Sequence, residues 1–223
     1  MGKYVVIDLE MCKVPKQMRT KEYNLGSETI QIGAVLVDDS MQIVGEFNTY
    51  VAPKYGFVDE YIKSLTGITR ADVRNACDMK SAINALLEWA PDDAVFVSWS
   101  NSDLLQIRKE VNAKHIEDKR LYKVFNSWID CQITFSGKMN EYGKRYRLEE
   151  ALVAADIYYD ENMHDGLVDA KNTAKLFIKM QKEPELTLNK YYKYAKTGIK
   201  DECEEHTTLG DMFPWLSTIC VPA

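Results

Sequence analysis

Two acidic residues stand at the end of the first apolar segment of the chain, where carboxylates are costly unless something compensates them. Residues 3–9 are mostly apolar and β-branched, which predicts a buried strand, and Asp8 and Glu10 end it. Since a strand alternates its faces, both side chains point to the same side. A divalent cation with oxygen ligands would relieve their repulsion. Two solvated acids at a strand end are an equally simple interpretation of this pair alone.

A third candidate ligand is Asp103, which follows the apolar segment 94–99 and begins a helical pattern over residues 103–111. An aspartate at this position is also a common helix cap, and taken alone the cap is the simpler interpretation. The sequence therefore places one more carboxylate after a second strand without deciding its role.

A histidine and a further aspartate surround the start of the last strongly helical segment, residues 166–181. His164 lies just before that helix and Asp169 lies within its first turns, with Gly166 between them. We expect Asp165 to cap the helix. A lone histidine here is more often an ordinary surface or packing residue, but the carboxylates in suitable places favour a functional role for it.

The elements that would position these residues alternate between strand and helix patterns. Asp38-Asp39-Ser40 is a turn signal and predicts a hairpin between the second and third strands. The order predicts an α/β fold with a mixed sheet flanked by helices. Further strands are expected at 29–37, 43–51, 94–99 and 127–135, and helices at 81–89, 103–111, 148–155 and 166–181.

Composition excludes several classes of protein. The 223 residues are 46% hydrophobic and 28% charged, which is typical of a globular domain. Five cysteines without a C-x-x-C pair and only three histidines argue against disulfides and zinc sites. The formal net charge of −6 argues against a long nucleic-acid interface but allows a short one in which bound cations reverse the local sign.

The organisation of the chain favours one domain. No apolar run approaches the roughly 20 residues of a membrane span, and the N-terminus does not resemble a signal peptide, so we expect a cytoplasmic protein without membrane contact. We assign residues 1–183 to the main domain and 184–223 to a C-terminal extension that packs on it. The apolar side chains expected to be covered there are Phe213, Trp215, Leu216 and Ile219.

Taken in order, Asp8-x-Glu10, Asp103 and His164-x4-Asp169 resemble the three motifs of the DEDDh 3′–5′ exonuclease family. The resemblance covers about residues 3–180, includes residues 28–35 and 148–152, and is greatest to the Eri-type branch that trims RNA 3′ ends. It implies a ribonuclease H-like fold with a mixed five-stranded sheet. It also implies that the chain releases nucleoside monophosphates from the 3′ end of single-stranded RNA or DNA, with RNA favoured.

The same resemblance implies the cofactor and the role of each residue. Two Mg²⁺ ions, for which Mn²⁺ can substitute, would lie about 4 Å apart and be bridged by Asp8. Glu10 and Asp169 would complete one ion's ligands, Asp103 would help hold the other, and His164 would be the general base. For the terminal base the candidate contacts are Met11 and, less directly, Trp99, whose alternative role is core packing.

Other functions stay open at this point. A DNA exonuclease of the same family is the nearest alternative, and a non-catalytic nucleic-acid-binding module on this fold is a second. A structural α/β domain with solvated acids is a third. The basic segment Lys144-Arg145-Tyr146-Arg147 would contact phosphates in a nuclease, and a solvated loop explains it equally well. The sequence leaves the oligomeric state unknown.

Overall fold

The computed structural model describes residues 3–159, 164–190 and 192, and they form an α/β fold around one mixed sheet. The sheet has five strands in the order β3-β2-β1-β4-β5. The first three strands are antiparallel neighbours, whereas β4 and β5 run parallel to β1. The strands are β1 (Tyr4–Lys13), β2 (Ser27–Val37), β3 (Ile43–Tyr50), β4 (Val95–Ser98) and β5 (Trp128–Asp130).

Eight α-helices lie within the described residues, and they cover both faces of the sheet. The helix α8 packs on β1 and β2, and α3, α4 and α5 contribute to the apolar cluster on the opposite face. The helices are α1 (Glu60–Thr66), α2 (Arg70–Arg74), α3 (Met79–Trp89), α4 (Ser102–Ala113), α5 (Lys119–Asn126), α6 (Cys131–Lys138), α7 (Leu148–Ala154) and α8 (Gly166–Lys182). The predicted mixed five-stranded sheet flanked by helices is confirmed.

Two strands differ from the prediction in their length. The first strand extends to Lys13, because its far half continues to pair with β2 after β4 has ended, so Asp8 and Glu10 lie within the strand and not at its end. The predicted strand at 127–135 is wrong beyond Asp130. That side chain accepts a hydrogen bond from the Ile133 N–H and caps α6, which ends the strand.

The predicted hairpin is confirmed, since β2 and β3 pair in antiparallel register across the turn at Asp38. The pairing of β1 with β2 shifts by one residue between Glu10 and Met11, so that Glu10 lies opposite Gln31 while Met11 lies opposite Thr29. This bulge bends the sheet next to the acidic residues.

The main apolar core lies under the face of β1 that carries Val5, Ile7 and Leu9. Alternation along the strand therefore puts Asp8 and Glu10 on the other face, toward α8. Residues Met1–Thr187 form one compact unit. The apolar side chains predicted to cover the core from the C-terminal extension lie outside the described residues, so the packing of 184–223 stays a prediction. No helix of the described segments is both long and apolar enough to cross a bilayer.

Candidate active site

The two acids of β1 face the start of α8 across the neighbouring strand. In the antiparallel register Asp8 lies opposite Gly33 and Glu10 lies opposite Gln31, so the four residues share one face. Glu10 is 9% exposed and Asp8 is partly buried. The acids are therefore held in a largely desolvated position by regular strand geometry.

Two glycines let the helix α8 approach this face. A methyl group on Gly33 would lie 2.1 Å from the carbonyl carbon of Gly166, which no packing rearrangement of side chains can relieve. A methyl group on Gly166 would lie 3.2 Å from the Asp8 carbonyl oxygen. Because neither position carries a side chain, the first turn of α8 rests directly on β1 and β2 and brings Asp169 to the acids of β1.

A buried glutamine fixes the start of this helix. The Gly166 N–H donates to Gln31 Oε1 at 3.0 Å, and Gln31 Nε2 donates to Asn48 Oδ1 at 3.0 Å and to Asp165 Oδ2 at 3.3 Å. As predicted, Asp165 caps the helix, since its other oxygen accepts from the N–H groups of residues 167 and 168. The strands β2 and β3 thus set where α8 begins.

Asp103 reaches the site from the other edge of β1. The strand β4 pairs with β1 only as far as Val6, which leaves the Leu9 N–H without a strand partner on that side. Asp103 Oδ1 accepts this N–H at 3.2 Å from the first turn of α4. Asn101 occupies the N-cap position, so the alternative interpretation of Asp103 as the cap is wrong.

His164 completes the group just before α8 begins. Its backbone has φ +71°, a left-handed conformation, and its N–H donates to Asp169 Oδ2 at 3.0 Å. The imidazole is exposed, and ligand atoms of His164, Glu10 and Asp169 lie within 4.8 Å of one another. The structure thus brings together the five residues that the sequence singled out for catalysis, while their roles stay predictions.

Burial and mutual repulsion oppose the simultaneous ionisation of all four carboxyl groups. Burial, reinforced by repulsion from Asp169, raises the pKa of Glu10 to about 8. Burial also raises the pKa of Asp103 to about 7, although the Leu9 N–H lowers it. The pKa values of Asp8 and Asp169 are raised too, with burial as the largest cause and neighbouring carboxylates adding to it.

The donor set fits a hard divalent cation. Asp169 Oδ1 is buried and has no hydrogen-bond partner, and among the described residues no lysine or arginine forms an ion pair with any of the four acids. Oxygen-rich, negatively charged sites of this kind suit Mg²⁺ or Mn²⁺. A bound cation would supply the missing partner of Asp169 and lower the pKa values that burial has raised.

The two candidates for base stacking both make contacts with core residues, and their role at the terminal base stays a prediction. Met11 is half-buried and packs against the apolar core beneath the other face of β1. Trp99 is 9% exposed, packs near Phe135, and donates from Nε1 to the Tyr146 carbonyl at 3.1 Å. Trp99 therefore has the contacts of a core residue, as its alternative interpretation predicted.

Sequence reasoning missed the positioning residues Gln31, Gly33 and Asn48. A detectable signal was present, because Gln31 and Gly33 interrupt an otherwise apolar strand at alternating positions. A glycine inside a buried strand often marks a close approach of another backbone.

Comparisons with known proteins agree with this geometry. The chain matches the family model described as Exonuclease (RNase_T) over residues 5–177. It is 32% identical to DNA polymerase III subunit epsilon of Aquifex aeolicus (strain VF5) over 183 residues, 82% of each chain. It is 30% identical to human ERI1 exoribonuclease 2 over an alignment 185 positions long, which covers 71% of this chain but only 26% of that longer protein.

Among solved structures, the chain is similar to the nuclease domain of 3′hExo, described as a DEDDh family member bound to rAMP. The TM-score is 0.68 at 21% identity, and the match covers 84% of this chain and 96% of that one. This similarity confirms the predicted ribonuclease H-like fold.

Proposed function

Because this chain belongs to the DEDDh 3′–5′ exonuclease family, we propose that it removes nucleoside monophosphates from the 3′ end of single-stranded nucleic acid, with RNA as the preferred substrate. One observation carries the proposal. Four carboxylates and a histidine converge on one face of β1, and the buried Asp169 Oδ1 has no partner. Such a group is stabilised by the cations that phosphodiester hydrolysis requires.

The residues have separate tasks in this proposal. Members of the family use divalent metal ions, and we assign two Mg²⁺ ions, replaceable by Mn²⁺, to Asp8, Glu10, Asp103 and Asp169. A bound ion stabilises charge on the phosphate oxygens and favours ionisation of water. The four acids would bind the ions and orient them toward the scissile phosphate. The close packing of α8 on Gly33 excludes water from beneath the acids.

His164 acts as the general base. Its backbone is fixed by the hydrogen bond from its N–H to Asp169. Its imidazole is exposed to solvent and lies near Glu10 and Asp169, where it can reach a water molecule at the site. An imidazole nitrogen accepts the proton of the attacking water, whose oxygen bonds to phosphorus as the 3′ oxygen of the preceding nucleotide leaves. General-base catalysis contributes about 10²–10⁴-fold in rate.

The preference for RNA rests on the relatives. The identity of 30% to an exoribonuclease supports it, together with the Eri-like motifs around Glu10 and His164. Deoxyribonucleic acid is the second candidate, which the 32% identity to a DNA polymerase subunit favours. The expected cytoplasmic location stays a prediction.

A paired degradation assay tests the proposal. Purified protein is mixed with single-stranded RNA and DNA oligonucleotides of one sequence, labelled at the 5′ end, in Mg²⁺, in Mn²⁺ and in EDTA. We expect stepwise shortening from the 3′ end with either ion, faster on RNA, and none in EDTA. His164→Ala should lower the single-turnover rate at least about 100-fold while leaving metal binding in place.

Two outcomes would contradict the assignment. Asp8→Ala or Asp169→Ala protein that degrades oligonucleotides at the wild-type rate would remove the acids from catalysis. Oligonucleotide binding without degradation in either ion would favour the non-catalytic binding module. Calorimetric titration with Mn²⁺ distinguishes the exonuclease and the non-catalytic binding module from a purely structural domain, because that domain would bind no divalent ion tightly.

A further inference from the structure

A polar cleft of about 530 Å³ lies beside the catalytic acids, on the side of the sheet where β4 and β5 end. Its volume falls within the range of about 300–1,000 Å³ that is usual for ligand sites. One wall consists of Ser100, Asn101 and Ser102, which directly precede the candidate ligand Asp103. The opposite wall is the segment from Tyr142 to Arg145.

The strand of a 3′–5′ exonuclease substrate needs a way out from the acids, and the described residues offer one over this cleft. On the side toward β3, the start of α8 covers Gly33. The hydrogen bonds of Gln31 to Asn48 and Gly166 join β2, β3 and α8 there and block this side of the site. Toward β5, the face continues past Asp103 into the cleft. A chain that leaves a terminal nucleotide at the acids therefore passes over the cleft.

Charges in the cleft suit a phosphodiester. The only carboxylate of its lining, Asp130, is already committed, because its two oxygens accept from the N–H groups of Asn101 and Ile133. Lys144 pairs with Glu141 at 3.0 Å. Among the described residues, exposed Arg145 makes no ion pair, so it is the cation that the cleft presents to a ligand.

An aromatic ring lines the same cleft as this cation. It belongs to Tyr142, whose side chain is 83% exposed. An exposed ring and an arginine without an ion pair in one cleft are the combination that proteins use for single-stranded nucleic acids, in which bases stack on rings and phosphates bind basic groups. The neutral hydroxyl and amide groups of the remaining lining accept a phosphate without repulsion.

From these observations we infer that the cleft binds the nucleotide on the 5′ side of the scissile phosphate, with Arg145 at a phosphate and Tyr142 against a base. This inference rests on the proposed function. It also reconciles the net charge of −6 with a nucleic-acid substrate, because one local cation beside a metal site is sufficient for a footprint of a few nucleotides.

Two substrates that differ in the upstream nucleotide test the inference. The first is a p-nitrophenyl ester of a nucleoside 5′-monophosphate, which has no upstream nucleotide, and the second is a single-stranded pentanucleotide. Arg145→Gln should raise the ratio of the pentanucleotide KM to the ester KM about tenfold, the effect of one charged hydrogen bond. The slope of log KM for the pentanucleotide against log salt should fall by about 0.7, the value for one phosphate contact on a single strand.

Matched variants make the test specific. Lys119→Ala removes one exposed positive charge at the start of α5, and it should leave both the ratio and the salt slope unchanged. Tyr142→Ala should raise the KM ratio at least about fivefold, and Tyr142→Phe should restore it, since stacking needs the ring and not its hydroxyl. Equal effects of Arg145→Gln and Lys119→Ala, or an unchanged KM ratio in Arg145→Gln, would overturn the inference.

Failure of the proposed function has a separate signature. If the wild-type protein hydrolyses neither substrate with Mg²⁺ or Mn²⁺, the catalytic assignment fails. Fluorescence anisotropy of a labelled pentanucleotide then tests the cleft by itself. A Kd that rises about tenfold in Arg145→Gln, and not in Lys119→Ala, supports it, and an unchanged Kd overturns it.

Discussion

Two groups of buried carboxylates lie close to β2, and they are compensated in opposite ways. In the first, Glu28 and Glu110 are both fully buried, and Lys114 Nζ bonds to them at 2.8 and 2.7 Å. Glu28 also accepts the N–H groups of the loop at residues 54–56, and Glu110 accepts the N–H of Thr29 at 2.7 Å. This group supplies its own cation and its own donors.

Within the part of the chain that the structure describes, the second group, formed by Asp8, Glu10, Asp103 and Asp169, has two backbone donors from other residues, the N–H groups of Leu9 and His164. Burial opposes ionisation of the carboxylates in both groups. Only in the first group do hydrogen bonds to the carboxylates outweigh this effect. Bonds from Lys114 and from backbone N–H groups hold the pKa of Glu28 below its usual value, whereas the pKa of Glu10 is raised to about 8.

The difference indicates which acids serve the fold and which serve chemistry. A buried carboxylate with a lysine and several N–H groups has no capacity for an external cation, and its task is to hold α4 against β2. A buried carboxylate without such partners destabilises the protein until something binds. Four predictions test this contrast.

The largest effect is expected for Asp8→Asn, which should abolish cleavage of oligonucleotides because the ligand that we assign to both metal ions is lost. In EDTA the same variant should unfold at a higher temperature than the wild type, by at least about 2 °C, since it removes the cost of either ionising or protonating a buried carboxyl group next to other acids. Cleavage assays and thermal unfolding in EDTA measure the two effects. Asp39→Asn in the exposed hairpin turn is the control and should change neither. A lower melting temperature for Asp8→Asn in EDTA would contradict the contrast.

In the first group, Lys114→Met should cost about 3–5 kcal/mol of unfolding free energy, because it leaves two buried carboxylates without their cation. For a chain of this size that is a fall of about 6–20 °C in the melting temperature. Combining it with Glu110→Gln should recover part of the loss. Urea unfolding measures the change, and a loss below about 1 kcal/mol would show that the lysine is dispensable.

Divalent ions should stabilise the folded protein by binding to the second group of carboxylates and not to the first. Mn²⁺ at about 100 times its Kd should stabilise the wild-type protein by about 2.7 kcal/mol. Asp8→Asn should lose most of this gain, and Lys114→Met should keep it, because Lys114 bonds to Glu28 and Glu110 and, among the described residues, not to the four acids that we assign to the metal. Thermal unfolding with and without Mn²⁺ gives the comparison. Equal stabilisation of Asp8→Asn would place the ion elsewhere.

The smallest effect concerns pH. Burial raises the pKa of Asp103 to about 7 in the folded protein, well above the usual range of an aspartate, so the folded state holds its proton over a pH range in which the unfolded state has lost it. Stability from this group is therefore present below about pH 4 and is lost as the pH rises through 7. In EDTA, the melting temperature of Asp103→Asn relative to wild type should increase between pH 5 and pH 8. A constant difference across that range would contradict the assigned burial.

Much of this arrangement followed from the sequence alone. Apolar segments rich in β-branched residues predicted the first four strands. The order of the acids along the chain, together with the resemblance to the exonuclease motifs, predicted which carboxylates meet. The cap at Asp165 was predicted from its position before the helix.

Long-range contacts account for what the sequence did not predict. The buried face of α4 includes Gln106 and Glu110, whose partners Ser27 and Thr29 on β2 are known only once the chain has folded. These contacts join residues far apart in the chain, which no local periodicity contains. The helix that begins at Cys131 did have a local signal, because Asp130 directly precedes it and caps it, but the apolar run was interpreted as a continuing strand.

The unequal lengths of two neighbouring strands have a consequence for how this centre can be altered. The strand β1 has ten residues and its parallel neighbour β4 has four. That mismatch makes a notch at Leu9, and the carboxylate of Asp103 fills the notch as a missing strand residue would. An insertion that lengthened β4 by two residues would displace Asp103 by filling the notch with backbone. The distance from the third carboxylate to the first two is therefore set by strand length and not by the flexibility of a loop, which makes the spacing of the proposed metal ligands a property of the sheet.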